Sequence, residues 1–462
     1  MNRTNVVLIQ CHDLGQHIGC YPDNSAVTPN LDRLASQGVV FDQHFATSPT
    51  CSPSRGSLLT GMYPHRNGLM ALTATNHWEI DRGIPTIPEL LREAGYGTAY
   101  FGTWHITETP EGRVDVFDLE AKCETVADHA IEYLERRDPT SPFCMMLGFE
   151  QPHLPFTSTW ANLQDPHDMT VPGYLADDPA IREELTRFYG EVSRADHAAG
   201  RIIDALKDRD LYDDTLVIFT TDHGIAMPLA KGTLYERGVK ISLIVSFPKR
   251  YKGGRRFPGM TSKIDLLPTI LDIVQESERV PAETDGRSLK PILEANQDVG
   301  REYIYTEQTW HDFYEPIRAV RDERFKLIRN FEPGTGMQIA ADILATRAVN
   351  VMRRELQTRV TPEYELYDLE ADPLERTNLS GTAGVASEET RLQNALEDWL
   401  VTTGDPILSG PIPAPVGYLE HFLAKPNGPG GFISDDDDRV VMKWKKGFTK
   451  HVCGTKRQSN LT

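Results

Sequence analysis

The chain has 462 residues and carries 48 Lys and Arg against 67 Asp and Glu, a formal charge of −19. That excess of acid excludes the basic face that nucleic-acid binding requires. Hydrophobic residues at 39% and aromatics at 8% exclude a disordered or fibrous chain and predict one large globular domain with a smaller appendage.

Val6–Ile9 opens the chain as a strand, with no charged stretch and apolar core of a secretory leader ahead of it, so the cytoplasm is the expected compartment. The strand runs into Cys11-His12-Asp13. An amphipathic helix follows over Thr28–Gln37, and another over Ile87–Glu93. Thr98–Phe101 is a strand that leads into Gly102-Thr103-Trp104-His105. After a helix over Thr125–Arg136, the strand Phe143–Phe149 leads into Glu150-Gln151-Pro152-His153. A helix over Leu185–Lys207 precedes the strand Leu216–Thr220, which ends in Thr221-Asp222-His223-Gly224, and Ile241–Phe247 is the last strand of the series. The apolar runs, Leu216–Phe219 among them, fall far short of the ~20 residues of a membrane span.

Strands alternating with helices predict a doubly wound α/β sheet over residues 1–300. Ligands of such sheets sit at the carboxyl ends of the strands. Four of the five strands end in His or Asp, which points to one shared site. From about residue 301 to 403 the pattern becomes α+β. A hairpin spans Ile317–Asn330, a strand spans Tyr364–Leu369, and Leu392, Leu396, Trp399 and Leu400 recur at helical spacing. Residues 404–462 read as a tail rich in Pro and Gly, with Asp435–Asp438 followed by Lys443, Lys445, Lys446 and Lys450. This tail is an arm that offers a surface for homo-oligomer contact. The six cysteines are scattered, which predicts reduced thiols rather than a disulfide framework.

The sharpest local signal is Cys51-Ser52-Pro53-Ser54-Arg55 with Gly61 six residues on. Pro in the first turn and Gly at the end bound a helix, so Cys51 lies at its N-terminus, where free N–H groups and the dipole favour anions. Arg55, one turn on, returns toward that position. The arrangement is an oxyanion pocket with a nucleophile in it.

Cys51-x-Pro53-Ser54-Arg55 resembles the signature of the type I sulfatases, members of the alkaline phosphatase superfamily whose cysteine is oxidised after translation to formylglycine. Asn5–Gly15, Thr28–Leu34, Gly61–Gly68, Gly102–His105, Thr221–Gly224, Lys231–Gly238 and Glu365–Leu369 are similar to further blocks of that family, in order, over about residues 5–380. The resemblance implies a large mixed sheet flanked by helices with a smaller C-terminal subdomain. It also implies a divalent metal held by His12, Asp13, Asp222 and His223 together with the modified Cys51. The family usually has two acids and an Asp-Asn pair there and binds Ca²⁺. This chain departs from that twice, each time toward His, so Ca²⁺ is the expected metal by family default with Mn²⁺ or Zn²⁺ close behind. His12 is either a ligand or stands behind the ligands.

By the same resemblance, His105 takes a proton from the hydrated aldehyde. Lys231 and His153 hold sulfate oxygens and protonate the leaving group, in an order the sequence leaves open, and Arg55 holds the nucleophilic oxygen. The family's lysine two residues before His105 is here Thr103. Asp222–Pro228 and Phe313–Arg318 look most like the heparan N-sulfatase branch, which makes His311 and Arg318 candidates for substrate contact beside Thr103, although Arg318 on its strand also fits an ion pair at the edge of the core. The expected activity is hydrolysis of a small sulfated sugar or aryl sulfate, after a maturation enzyme has generated the formylglycine. The alternatives are a phosphonate monoester or phosphodiester hydrolase of the same superfamily, and an inactive anion-binding relative.

Overall fold

A computed structural model describes residues 3–414 apart from 23–24, 74–77, 158–164, 296–299, 313, 335 and 338. The residues of the expected tail contact, including Asp435–Asp438 and the lysines after them, lie outside the described residues.

Nine strands form the larger sheet: β1 (Asn5–Cys11), β2 (Val39–Phe45), β3 (Gly97–Gly102), β4 (Val116–Asp118), β5 (Phe143–Gly148), β6 (Thr215–Thr221), β7 (Lys240–Ile241), β8 (Leu243–Ser246) and β9 (Arg255–Ser262). Their order is β4-β3-β5-β1-β6-β8-β2-β7, with β9 beside β2. The five strands from β4 to β6 are parallel. Beyond them, β8 is antiparallel to β6 and to β2, so the sheet is mixed. Ile241–Phe247, expected as one strand, is divided into β7 and β8 at Ser242, whose N–H and hydroxyl both donate to the Gly15 carbonyl.

β1 is buried along its whole length, as a central parallel strand must be. Its side chains alternate between two cores. Val7 and Ile9 join the core that includes Leu185, Phe188, Ile202 and Ile203 of the helix Pro179–Lys207. Val6 and Leu8 join the core containing Leu266, Leu267 and Ile270 of the helix Leu266–Ile273. Helices thus cover both faces, and the polar groups that follow each strand are left at the strand ends.

The second sheet is antiparallel, in the order β10 (Ile304–Trp310), β11 (Tyr314–Arg321), β12 (Phe325–Asn330) and β13 (Tyr364–Asp368). Leu392, Leu396 and Leu400 of the helix Ala386–Thr403 pack on it with Val320, Leu327 and Leu366. The tail was expected to begin at 404, but Asp405, Ile407 and Ile412 are buried here, and the Ile412 carbonyl accepts from Trp310 Nε1 at 3.0 Å. These residues join the subdomain, because Trp310 donates to the Ile412 carbonyl and Arg318 to the Asp405 carboxylate.

Candidate active site

β1 and β6 are parallel neighbours with Cys11 opposite Thr221, so His12-Asp13 and Asp222-His223 emerge side by side. One oxygen of Asp222 accepts from the backbone N–H of both Asp13 and His223, each at 2.9 Å. β5 and β3 lie on the other side of β1 and deliver His153 and His105. The ends of these two strands approach so closely that a Cβ at Gly102 would lie 2.1 Å from the Gly148 carbonyl oxygen, and Gly102 takes a positive φ of 96°. Asp13 and His105 also adopt left-handed backbone conformations, with φ of 49° and 56°. Such conformations are uncommon outside glycine and cluster at functional sites.

Helix α1 (Pro29–Gln37) packs away from this centre, whereas helix α2 (Cys51–Thr60) points its N-terminus into it. Cys51 is the first residue of α2, and Gly61, at φ 68°, terminates the helix as its spacing predicts. Cys51 Sγ lies 3.4 Å from His223 Nε2 and 3.9 Å from His12 Nδ1. His12 Nδ1 is 2.9 Å from Asp13 Oδ1 and 3.4 Å from Asp222 Oδ2, and His223 Nε2 is 3.0 Å from Asp13 Oδ1. Ligand atoms of all five residues fall within 4.8 Å of one another, and all five residues are buried.

The cations of the site are already engaged. Arg55 donates to Asp222 Oδ2 from Nε and Nη2 at 3.2 and 3.1 Å, and to the Thr103 carbonyl at 3.0 Å. Lys231 Nζ donates to Asp13 Oδ2 at 2.8 Å and to Asp342, and lies 3.4 Å from His153 Nε2. Asp13, His153 and Asp342 themselves form a second cluster of ligand-type atoms, but the Lys231 ammonium stands among them as the resident cation.

Burial governs the protonation states. It pushes His12 down to about 4, against the pull of Asp222 and Asp13, and it holds His105 well below the ordinary imidazole value, with His12 and Arg55 adding to the effect. Burial also lowers His223 and drives the Cys51 thiol well up, with Lys231 opposing and the carboxylates of Asp13 and Asp222 adding. For His153, burial and Lys231 act downward, but Asp13 and Asp342 outweigh them and raise it. Lys231 stays firmly charged because Asp13 and Asp342 override its desolvation.

His105, His153, Thr103 and His12 share a cleft of about 430 Å³. His153 has a quarter of its side chain exposed there, whereas the Lys231 side chain is fully buried. His105 Nδ1 is buried and has no hydrogen-bond partner among the described residues.

Two of the residues expected to contact substrate do not line this cleft. Arg318 is fully buried, donates to both carboxylate oxygens of Asp405, and lies 3.4 Å from Glu307; its destination is the internal ion pair. His311 is also buried, with Nδ1 2.6 Å from Asp312 Oδ2. That same Asp312 oxygen accepts from the Ala341 N–H at 2.6 Å and so fixes the turn Ala341–Ile343 that carries Asp342. His311 therefore connects to the Asp342 turn through Asp312 and does not line the cleft.

Sequence reasoning missed Asp342, which lies in a short polar turn without periodicity. It also missed Lys263. This buried lysine sits beneath the cluster, and its Nζ donates to Ser54 Oγ at 2.9 Å and to the carbonyls of Thr221 and Asp222 at 2.8 and 3.2 Å. A lone lysine three residues before an apolar helix gave no signal of these contacts.

The five residues of the ligand cluster fall within one match: residues 4–276 fit the sulfatase family model. The chain belongs to the sulfatase family. Residues 226–340 also match the model described as N-sulphoglucosamine sulphohydrolase, C-terminal. This sulfatase is 29% identical to the human N-sulphoglucosamine sulphohydrolase, over 91% of this chain and 93% of that protein. It is 26% identical to an ulvan-active sulfatase of Formosa agariphila, over 87% of this chain and 76% of that one. The fold resembles that of a protein solved in complex with its substrate D-glucosamine-2-N,6-O-disulfate, with a TM-score of 0.69 at 22% identity, covering 88% of this chain and 99% of that one. It resembles the phosphonate monoester hydrolase of Agrobacterium radiobacter to the same degree, with a TM-score of 0.69 at 21% identity, covering 88% and 97%.

Proposed function

We propose that this sulfatase removes a sulfate group from a small sugar, using a formylglycine formed at Cys51 and a divalent metal held by His12, Asp13, Cys51, Asp222 and His223. One observation carries the reading. The cysteine of the Cys-x-Pro-Ser-Arg segment lies at a helix N-terminus, inside a buried cluster of metal-ligand atoms, next to a cleft lined by two further imidazoles.

The charges of the chain fit a metal. The carboxylates of Asp13, Asp222 and Asp342 outnumber the fixed cations Arg55 and Lys231, so a bare centre would repel a sulfate. A divalent cation reverses that sign. Two imidazoles with two carboxylates suit Mn²⁺ or Zn²⁺ better than Ca²⁺, which prefers oxygen donors alone. Bound there, the ion would supply Lewis-acid polarisation of the transferring group.

The remaining roles belong to the chain itself. Arg55 locks Asp222 to the first turn of α2 and thereby sets the ligand cluster against position 51. We assign to His105, whose Nδ1 has no hydrogen-bond partner among the described residues, the acceptance of a proton from the hydrated aldehyde. His153 lines the cleft and Lys231 does not, so we assign to His153 the protonation of the departing sugar oxygen or nitrogen, while Lys231 holds Asp13 and Asp342 in place. The similarity to N-sulphoglucosamine sulphohydrolase supports a sulfated hexosamine as the substrate. Maturation requires a formylglycine-generating enzyme in the host.

Peptide mass spectrometry of the segment containing Cys51, on protein from its native host, tests the nucleophile. The expected result is an aldehyde at position 51. Comparing kcat/KM on sugar sulfates, aryl sulfates and aryl phosphonate esters then tests the reaction. An unmodified Cys51 in active protein, or a phosphonate ester turned over tenfold faster than any sulfate, would overturn the reading.

A further inference from the structure

A second cavity, of about 290 Å³, lies where the smaller sheet meets the larger domain, and its described lining shares no residue with the catalytic cleft. Its volume is near the lower end of those of small-molecule sites. One wall is residues 232–235, directly after Lys231. The other includes Ile317, Ile328, Glu365 and Tyr367 of the antiparallel sheet, with Arg359 and Val360 on the exposed side. Glu365 is buried. Its Oε2 accepts from the Tyr235 and Tyr367 hydroxyls at 2.8 and 2.6 Å, and its Oε1 accepts from Asn330 Nδ2 at 3.0 Å. All three donors are neutral, so among the described residues this carboxylate has no Lys, Arg or His to balance it. Buried carboxylates ordinarily claim a cation, as Asp13, Asp222 and Asp405 do here. Glu365 Oε1 also keeps a lone pair for a further donor. Arg359 presents the converse case: among the described residues its one ion pair is with the exposed Glu355 at 3.9 Å, too long for a hydrogen bond. The other charges of the lining are committed elsewhere, Glu375 to Lys326 and Arg237, Glu315 to the Gln308 amide, and Arg376 to the Gly173 carbonyl. Behind Gly232, 4.0 Å from where a Cβ would stand, is Gln308 Oε1, a buried acceptor with no hydrogen-bond partner among the described residues.

We propose that this cavity is a second binding site, separate from the catalytic cleft, for a small hydroxylated zwitterion: an amino sugar that carries one acidic group, with its ammonium on Glu365 and its acidic group on Arg359. A carboxylate without a cation and a guanidinium without a close carboxylate line one space of the size of a small molecule, and they are not paired with each other. A ligand bearing both charges satisfies the two at once, whereas a plain amine or a plain anion satisfies one. Gln308 Oε1 and the hydroxyl-bearing Thr233 and Thr361 of the lining add partners for sugar hydroxyls.

The test is titration calorimetry on the full chain with Cys51 left as the thiol, so it measures binding alone and does not depend on the sulfatase reading. The probe is D-glucosamine 6-sulfate, with D-glucosamine and D-glucose 6-sulfate as the two singly charged controls. The wild type should bind the zwitterion about tenfold more tightly than either control. Glu365→Gln and Arg359→Gln should each weaken that binding by about tenfold, and His153→Ala, which alters only the catalytic cleft, should leave it in place. Arg359 is half-buried at the rim, so its variant folds and decides the matter even if the buried Glu365→Gln does not. Absence of saturable binding would overturn the proposal. So would zwitterion binding that Arg359→Gln leaves unchanged, or binding that His153→Ala abolishes, which would assign it to the catalytic cleft.

Discussion

Arg318 separates a structural from a substrate-binding role in one experiment. Replacing it with Met keeps most of its volume but removes the guanidinium from a site where its side chain and that of Asp405 are fully buried. Four hydrogen bonds are lost: Nε and Nη2 to Asp405 at 2.6 and 3.1 Å, and Nη1 to the Gln308 and Ile317 carbonyls at 2.7 and 3.0 Å. Glu307 keeps the His65 N–H and Nδ1 as partners, at 2.7 and 2.6 Å. Asp405 keeps the Ile407 N–H at 3.0 Å, and His65 Nδ1 lies 3.8 Å away. The dominant penalty is therefore one buried carboxylate stripped of its cation, about 3–5 kcal/mol. That is a large part of the ~5–15 kcal/mol that holds a typical domain together.

Trp399 reports on the same region, because it stacks on Tyr305 at 4.9 Å and meets the His65 ring edge-on at 5.3 Å. Urea unfolding followed by tryptophan fluorescence should show an early transition of the C-terminal subdomain in Arg318→Met. Burial alone would raise the Asp405 carboxyl, but Arg318 overrides it and holds it below the ordinary range. The stabilisation from this pair is thus complete above the unfolded carboxylate value near ~4 and is lost as the pH falls through the lower folded value. The gap between wild type and variant should close on acidification. An unchanged urea midpoint combined with a raised KM would refute this reasoning and return Arg318 to the substrate.

Three further outcomes follow from the centre. Asp342→Asn removes the carboxylate shared by Lys231 and His153, so kcat/KM should fall about ten- to hundredfold with little change in melting temperature, since Asp342 keeps 27% of its side chain exposed; steady-state kinetics alongside a melting curve reads both. Lys263→Met takes away the amine beneath Ser54 and the Asp222 carbonyl, and a chelator competition should show metal retention weakened by about ten- to hundredfold. Prolonged chelation should abolish turnover, and Mn²⁺ or Zn²⁺ should restore it better than Ca²⁺, as activity assays after elemental analysis would show; full activity in metal-free protein would mean the ligand cluster has been misread.

Much of the centre was legible because its residues follow strands directly. His12-Asp13 and Asp222-His223 extend two apolar runs, and parallel pairing of β1 with β6 is enough to bring them together. Strand β2 was not legible, because Asp42, Gln43 and His44 interrupt its apolar run and its pairing with β9 spans more than 200 residues. Asp342 was hidden for a different reason. It reaches Lys231 only because Asp312, at the β10–β11 turn, grips the Ala341 N–H, and no local pattern encodes a contact between a loop backbone and a carboxylate 29 positions away. Arg318 shows the same limit for charge. An arginine on a strand beside a recognised motif looks like a substrate clamp until its counter-charge is known, and here that is Asp405, 87 positions on. A buried guanidinium must be matched by a carboxylate somewhere in the fold. The role of a cation in such a site therefore follows from which acid claims it. Arg55, Lys231 and Arg318 are each claimed by an aspartate, so under the proposed function a divalent ion on the ligand cluster would be the charge that draws a sulfate in.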